Sequence, residues 1–167
     1  MKPLSIVMTV AAPAAAVWEV LTDLEGTVRV LEGVRAVQRL SADTGYQVGT
    51  SWRETRVMFG QEASEDMTVT AVDPGRRTEI QAESHGTRYR TEFEVLPIGG
   101  TGADAGRPTR TQLVMRFQGE DVAGGVLRRV LGAVTAPLGL AVTRKAMRQD
   151  LRDIAAEAER RVGGDHA

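Results

Sequence analysis

Between Trp52 and Glu94 the chain alternates its side chains so regularly that few folds can accommodate it. Successive residues of a strand point to opposite faces, and three turn signals divide the segment. Phe59-Gly60-Gln61-Glu62 reads as a two-residue hairpin turn with Gly at its first central position. Asp73-Pro74-Gly75-Arg76 carries Pro and Gly in the order that turns favour, and Ser84-His85-Gly86-Thr87 supplies the third turn. The first turn predicts Arg56 opposite Glu65, Glu54 opposite Met67 and Trp52 opposite Val69. The second predicts Val69 opposite Ile80, Met67 opposite Ala82 and Ala71 opposite Thr78; the third predicts Ala82 opposite Tyr89, Ile80 opposite Thr91 and Thr78 opposite Phe93. Read across the strands, one face carries the rows Trp52–Val69–Ile80–Thr91, Glu54–Met67–Ala82–Tyr89 and Arg56–Glu65–Ser84–Thr87. The other face carries Arg53, Thr55, Asp66, Thr68, Thr70, Glu79, Gln81, Glu83, Arg88, Arg90, Glu92 and Glu94, and must face solvent. A slip of one residue would mix the two sets.

The flanking sequence supplies what such a sheet needs. Leu4–Ala11 alternates as a strand, and Val17, Val20, Leu21 and Leu24 put an apolar stripe on a helix over about Pro13–Leu24. Pro13 suits the first turn of that helix. Glu25–Gly33 is a second short helix or a loop, Val34–Ala42 a strand, and Asp43-Thr44-Gly45 a turn. Leu113, Met115 and Phe117 continue the apolar face into a last strand, after a Gly99–Pro108 connection. From Asp121 the pattern turns helical, with Leu127, Val130, Leu131 and Val134 on one face. Pro137 predicts a kink or break near Ala136–Gly139. A longer amphipathic run follows, with Met147, Leu151, Ile154, Ala158 and Val162 on one face, and Gly163–Ala167 reads as a disordered tail. The expected architecture is α+β, one domain over residues 1–162, with the terminal helix covering the apolar face of the sheet.

Composition narrows the function. Cysteine is absent, which excludes disulfides, thiolate nucleophiles and Cys-based metal sites. Two histidines and a net charge of -1 leave little for His chemistry, metal binding or nucleic-acid binding. Lys2, Leu4–Ala12 and Pro13-Ala14-Ala15-Ala16 faintly imitate a signal peptide. Strand and helix periodicity running through the supposed cleavage site instead favours structure, and with it a cytoplasmic location. No stretch reaches the ~18 apolar residues of a membrane span, so stable membrane insertion is not expected.

The ordered set of elements resembles the START-like, or SRPBCC, superfamily with its helix-grip fold, and within it the polyketide cyclase/dehydrase and lipid-transport branch. The residues that carry the resemblance are Ile6, Met8, Val10 and Ala12, then Val17-Trp18 and Val20-Leu21-Thr22-Asp23; Val48-Gly49-Thr50; Val69-Thr70-x-Val72-Asp73-Pro74; and Leu151, Ile154 and Ala158-Glu159. The resemblance implies a curved sheet of about seven strands gripping a long helix around a cavity for apolar or aromatic small molecules. Members include lipid carriers, polyketide aromatases and cyclases, and hormone receptors, so the fold alone does not assign an activity.

Chemistry has few candidates. The inward rows contain Glu54, Arg56 and Glu65, with Ser84 and Tyr89 nearby. An Arg–Glu pair across strands can orient a ligand's hydroxyl, carbonyl or carboxylate, and Glu54 near Tyr89 and Met67 could act as acid or base. The competing reading is an ion-pair network at the sheet edge. Glu54, Arg56 and Tyr89 are the candidate catalytic or orienting residues. Trp52, Met58, Met67, Val69, Ile80, Thr91, Phe93, Met115 and Phe117 complete the expected ligand-contacting set, or an ordinary core. Aromatic residues make up only 4% of the chain, which suits incomplete filling beneath the helix. His85 falls in a turn, and Gly99–Gly106 lacks a phosphate-binding pattern and precedes a strand. The basic residues Arg144, Lys145, Arg148 and Arg152 are diluted by Asp150, Asp153, Glu157 and Glu159, which reads as a solvated helix face. The expectation is a binder or carrier of a lipid, polyketide or isoprenoid-like molecule, without cofactor or metal, as monomer or homodimer. The alternatives are a cyclase, aromatase or dehydratase, and a protein-partner-binding module.

Overall fold

A computed structural model of the chain describes residues 3–58, 60–84, 87–99, 110–121 and 137–164. Its elements are β1 (Leu4–Val10), α1 (Ala14–Thr22), α2 (Thr27–Val30), β2 (Val34–Arg39), β3 (Ser51–Met58), β4 (Gln61–Asp73), β5 (Arg77–Ser84), β6 (Thr87–Ile98), β7 (Arg110–Asp121) and α3 (Pro137–Gly164). The seven strands form one curved antiparallel sheet in the order β1-β7-β6-β5-β4-β3-β2. The meander β2 to β7 runs in chain order, and β1 closes it by pairing with β7. This is the helix-grip fold that the family resemblance implies, and the α+β sheet under a terminal helix that the alternation and the terminal amphipathic run predict.

The registers agree in part. β5 and β6 pair as expected, with Ala82 opposite Tyr89, Ile80 opposite Thr91 and Thr78 opposite Phe93. β4 and β5 keep Met67–Ala82 and Val69–Ile80, but a bulge after Val69 sets Ala71 against Glu79 and Val72 against Thr78. The Asp73–Arg76 turn forms, closed by the Arg76 N–H to Asp73 carbonyl bond at 3.0 Å, with Gly75 at φ 77°. Between β3 and β4 the expected register is wrong by two residues: Trp52 faces Met67, Glu54 faces Glu65 and Arg56 faces Ala63. The hairpin connection is Phe59-Gly60, not Gly60-Gln61, and Gly60 adopts φ 77°, a left-handed conformation that glycine takes without a Cβ penalty. A shift of two leaves every side chain on its predicted face but changes its neighbours.

Element ends also move. β1 stops at Val10 and β2 at Arg39, and Pro13 caps α1 from an extended conformation instead of entering its first turn. α3 runs through Gly164, so Gly163 and Gly164 are helical and not part of a tail. The helix expected over Leu127–Val134 lies outside the described residues, as do the His85-Gly86 turn and most of the Gly99–Pro108 connection. α3 begins at Pro137, and the chain before it, where a kink would show, is not described.

α3 supplies the cover that the sheet requires. Met147, Leu151, Ile154, Ala155 and Ala158 are buried against Leu4, Val10, Phe93, Val95, Leu113 and Met115, together with Val17 of α1. α3 therefore packs chiefly on β1, β7 and α1, over one side of the sheet. A second, smaller cluster joins Leu24 to Trp52 and Val69 on the other side. The outer face is charged as predicted: Arg53 makes a two-point pair with Asp66 at 2.7 and 2.9 Å, and Arg116 bridges Glu92 and Glu94 at 2.6 and 2.8 Å.

The corner between α1 and α2 is anchored to the end of α3. Asp23 Oδ1 accepts from the Gly26 N–H at 2.9 Å, and its Oδ2 accepts from Arg161 at 3.1 Å. A Cβ on Gly26 would stand 2.2 Å from Asp23 Oδ2, so an alanine there must displace the carboxylate from the position in which it makes both bonds. Gly26→Ala is expected to lower stability by about 1–3 kcal/mol in urea unfolding. Because Gly26 has an ordinary φ of -75°, a neutral outcome would show that Asp23 anchors nothing.

Candidate functional site

Since α3 lies toward β1 and β7, the concave face of β3 to β6 is left with space above it. A cavity of about 250 Å³ occupies that space. Its floor comes from the inward rows of the sheet: Trp52, Met67, Ile80, Ala82, Thr91 and Phe93, continued by Met115 and Phe117 of β7. α1 contributes Val20 and Leu21, α2 contributes Thr27 and Val30, the residues that follow these helices contribute Leu24 and Leu31, and α3 contributes Thr143, Ala146, Met147, Asp150 and Ile154. Most of this wall is apolar, as in small-molecule pockets generally.

One aromatic pair and one loop residue shape the wall. Tyr89 and Phe117 stack at 5.7 Å between centroids with 15° between planes. Gly119 lies directly across from Tyr89, and a Cβ there would meet the Tyr89 ring at 3.5 Å. Tyr46 enters from the β2–β3 connection; its hydroxyl bonds Thr78 Oγ1 at 2.9 Å and its ring meets Trp18 edge-on at 6.5 Å. Burial pushes the Tyr46 hydroxyl up to about 12, against the opposing effect of the Thr78 bond. Burial also raises the Tyr89 pKa, and the Glu65 carboxylate adds to it.

The polar part of the wall is a linked set. Trp52 Nε1 donates to Glu54 Oε2 at 3.2 Å, Arg56 Nε donates to Glu54 Oε1 at 2.6 Å, and Arg56 Nη2 donates to Asp150 Oδ2 at 2.8 Å. Glu54 and Asp150 are 8% and 6% exposed, so two carboxylates are buried around one guanidinium. Burial opposes the Arg56 charge, but Coulomb attraction and hydrogen bonds from Asp150 and Glu54 prevail and hold its pKa above the usual arginine value. Burial raises the Asp150 pKa, and Arg56 only partly offsets that. Among the described residues, Arg56 Nη1 has no protein partner and can donate to a carbonyl or oxyanion in the cavity.

The predicted site residues are therefore placed as follows. Trp52, Glu54, Arg56, Glu65, Met67, Ile80, Tyr89, Thr91, Phe93, Met115 and Phe117 line the cavity. Val69 does not; it is 1% exposed and packed with Leu24 and Trp52 in the core. The Met58 side chain lies outside the described residues. The expected Arg56–Glu65 pair is not formed, because the register shift puts Ala63 opposite Arg56. Glu54 likewise faces Glu65, while Tyr89 lies in the Trp52 row, beyond Met67 and Ala82. Asp150, expected on a solvated face, is buried at the centre of the polar set. Its spacing with Met147, Leu151 and Ile154 (i, i+3, i+4, i+7) was the available signal for this placement. Tyr46 carried no periodic signal, being in a turn-rich connection.

The fold and its cavity define a START-like protein. A START superfamily protein from Mycobacterium smegmatis superposes with TM-score 0.60 at 16% identity, covering 97% of each chain. Residues 3–159 match the family described as polyketide cyclase / dehydrase and lipid transport, and the chain belongs to that family. Zhui aromatase/cyclase from Streptomyces sp. R1128 is similar at 25% identity and TM-score 0.75, covering 96% of this chain and 95% of that one. The di-domain ARO/CYC StfQ from the steffimycin biosynthetic pathway is similar in fold at 12% identity and TM-score 0.69, with 96% of this chain matching 52% of StfQ. No curated protein matches the sequence. Among the described residues, no helix is long and apolar enough to cross a membrane.

Removing the guanidinium would strand two buried carboxylates. Arg56→Ala is expected to cost about 3–5 kcal/mol in urea unfolding, and a loss below ~1 kcal/mol would show that the carboxylates are not held by Arg56. The Asp150 carboxyl has a folded pKa above its ordinary 3.8, so its contribution to stability is complete below that value and is lost as pH rises through the folded pKa. Relative to Asp150→Asn, the parent protein should therefore lose stability as pH rises from about 4 through that window. A stability difference that is flat across a pH series would contradict burial as the cause.

Proposed function

We propose that this protein binds an apolar or aromatic small molecule between its sheet and α3, as a binder or carrier. The observation that carries the reading is the cavity of about 250 Å³, walled by apolar side chains with one polar set at its side. That volume lies just below the usual 300–1,000 Å³ of ligand pockets and suits a compact molecule of a few rings or a short chain. The stacked Tyr89–Phe117 pair offers a flat apolar surface to such a ligand.

A second reading is an aromatase, cyclase or dehydratase. It is favoured by Arg56 Nη1, without a partner among the described residues while Nε and Nη2 bond Glu54 and Asp150, and by the end-to-end likeness to an aromatase/cyclase. In that case the cavity would fold a polyketone into reactive proximity. Arg56 would polarise a carbonyl, and Glu54 or Asp150 would accept or return a proton.

Native mass spectrometry of the purified chain, with extraction of any bound compound, tests the first reading. A neutral or aromatic molecule bound at one per chain is the expected result; a chain that stays empty against a panel of such molecules would overturn it. The second reading predicts product formation from a poly-β-ketone thioester and its loss in Glu54→Gln. Stoichiometric binding without turnover would remove it.

A further inference from the structure

The charges that line the cavity do not balance. Among the described lining residues, Arg56 is the only cation, against the carboxylates of Glu54, Glu65 and Asp150. Two of these already bond the guanidinium. Glu65 is directly opposite Glu54 on the neighbouring strand and, among the described residues, has no hydrogen bond or ion pair. It is partly buried, and its charge is felt by the Tyr89 hydroxyl. Among the described residues, the cavity wall thus carries an acceptor-only carboxylate without a donor, beside a guanidinium that two carboxyl groups already share.

We infer that the cavity selects neutral ligands whose polar end donates a hydrogen bond, phenols and enols above all, and rejects ligands that end in a carboxylate. This rests on the reading of the cavity as a small-molecule site. A phenolic O–H supplies the donor that Glu65 lacks, and the Arg56 Nη1 edge takes a carbonyl on the same ligand. A ligand carboxylate entering the same space would lose its hydration next to the Glu54 and Glu65 carboxylates and the Asp150 carboxyl group, with one guanidinium already shared by two of these three. Free fatty acids are thereby disfavoured, although the apolar wall alone would accept their chains. The discrimination works through an unfavourable contact, which a hydrophobic wall cannot supply.

Three two-ring probes of matched shape test this on the full chain at pH 7 and low salt, by isothermal titration calorimetry. They are 2-naphthol, which donates; 2-methoxynaphthalene, which is neutral without a donor; and 2-naphthoate, which is anionic. The expected order is naphthol tightest, methoxynaphthalene weaker, and naphthoate weaker than naphthol by about tenfold or more. Glu65→Gln, a change of matched size at a partly exposed position, should narrow the naphthol–naphthoate gap by several-fold. Naphthoate binding as tightly as naphthol would overturn the inference and leave the binding reading standing. Methoxynaphthalene matching naphthol would overturn the requirement for a donor, and an unchanged gap in Glu65→Gln would overturn the assignment to Glu65. Failure of all three probes would overturn the binding reading itself.

Discussion

A sheet with one apolar, concave face must be covered, and here one helix does most of the covering. α3 seats Met147, Leu151, Ile154 and Ala158 against β1, β7 and the helix α1. Leu151 and Ala158 are fully buried, and burial of this kind is the largest favourable contribution to folding. Because the sheet curves and α3 stays to one side, its far side receives, among the described residues, mainly α1, α2, the β2–β3 connection and one edge of α3 as cover. Those pieces are short, so space remains, and its walls are the same side chains that would otherwise have formed core. The cavity is thus a consequence of how the sheet is covered.

The polar set at the side of this space has a different physical standing. Arg56 ties β3 to α3 through Asp150, and Trp52 and Arg56 together orient Glu54. Charges taken from water in this way rarely add net stability compared with apolar residues of the same size. A core built only for stability would have Leu or Met at these positions. These polar groups are the ones the proposed function would use, and the raised Asp150 pKa reflects the cost of burying its carboxylate, which Arg56 offsets only in part. The outer face also carries Arg–carboxylate pairs, such as Arg53–Asp66, but these lie in solvent, where each contributes little.

Membership of the polyketide cyclase / dehydrase and lipid-transport family fits both halves of this picture. An apolar enclosure suits carriers, and a small set of polar groups within it suits cyclisation or dehydration. The fold is shared across both, and the distinction rests on the polar side chains that each chain sets in its cavity. In this chain that set is Glu54, Arg56, Glu65 and Asp150, with Tyr89 beside it.

Parity was legible in the sequence, and neighbourhood was not. Alternation showed that Trp52, Glu54, Arg56, Glu65, Met67, Ile80 and Tyr89 point inward, because strand side chains have a period of two and a bulky outward apolar residue is costly. The same period cannot distinguish registers that differ by two, so Glu54 was expected beside Met67 and lies beside Glu65. The β5–β6 register came out as expected, since its turn signal admitted one reading. The spacing of Met147, Leu151 and Ile154 determined that a terminal helix would cover the sheet, but the burial of Asp150 depended on how that helix settled on the sheet relative to Arg56 of β3, a long-range packing outcome. Local periodicity thus determined the elements and their faces. Only the tertiary structure decided which charges meet, because Arg56 and Asp150 are 94 residues apart and share no periodic relation.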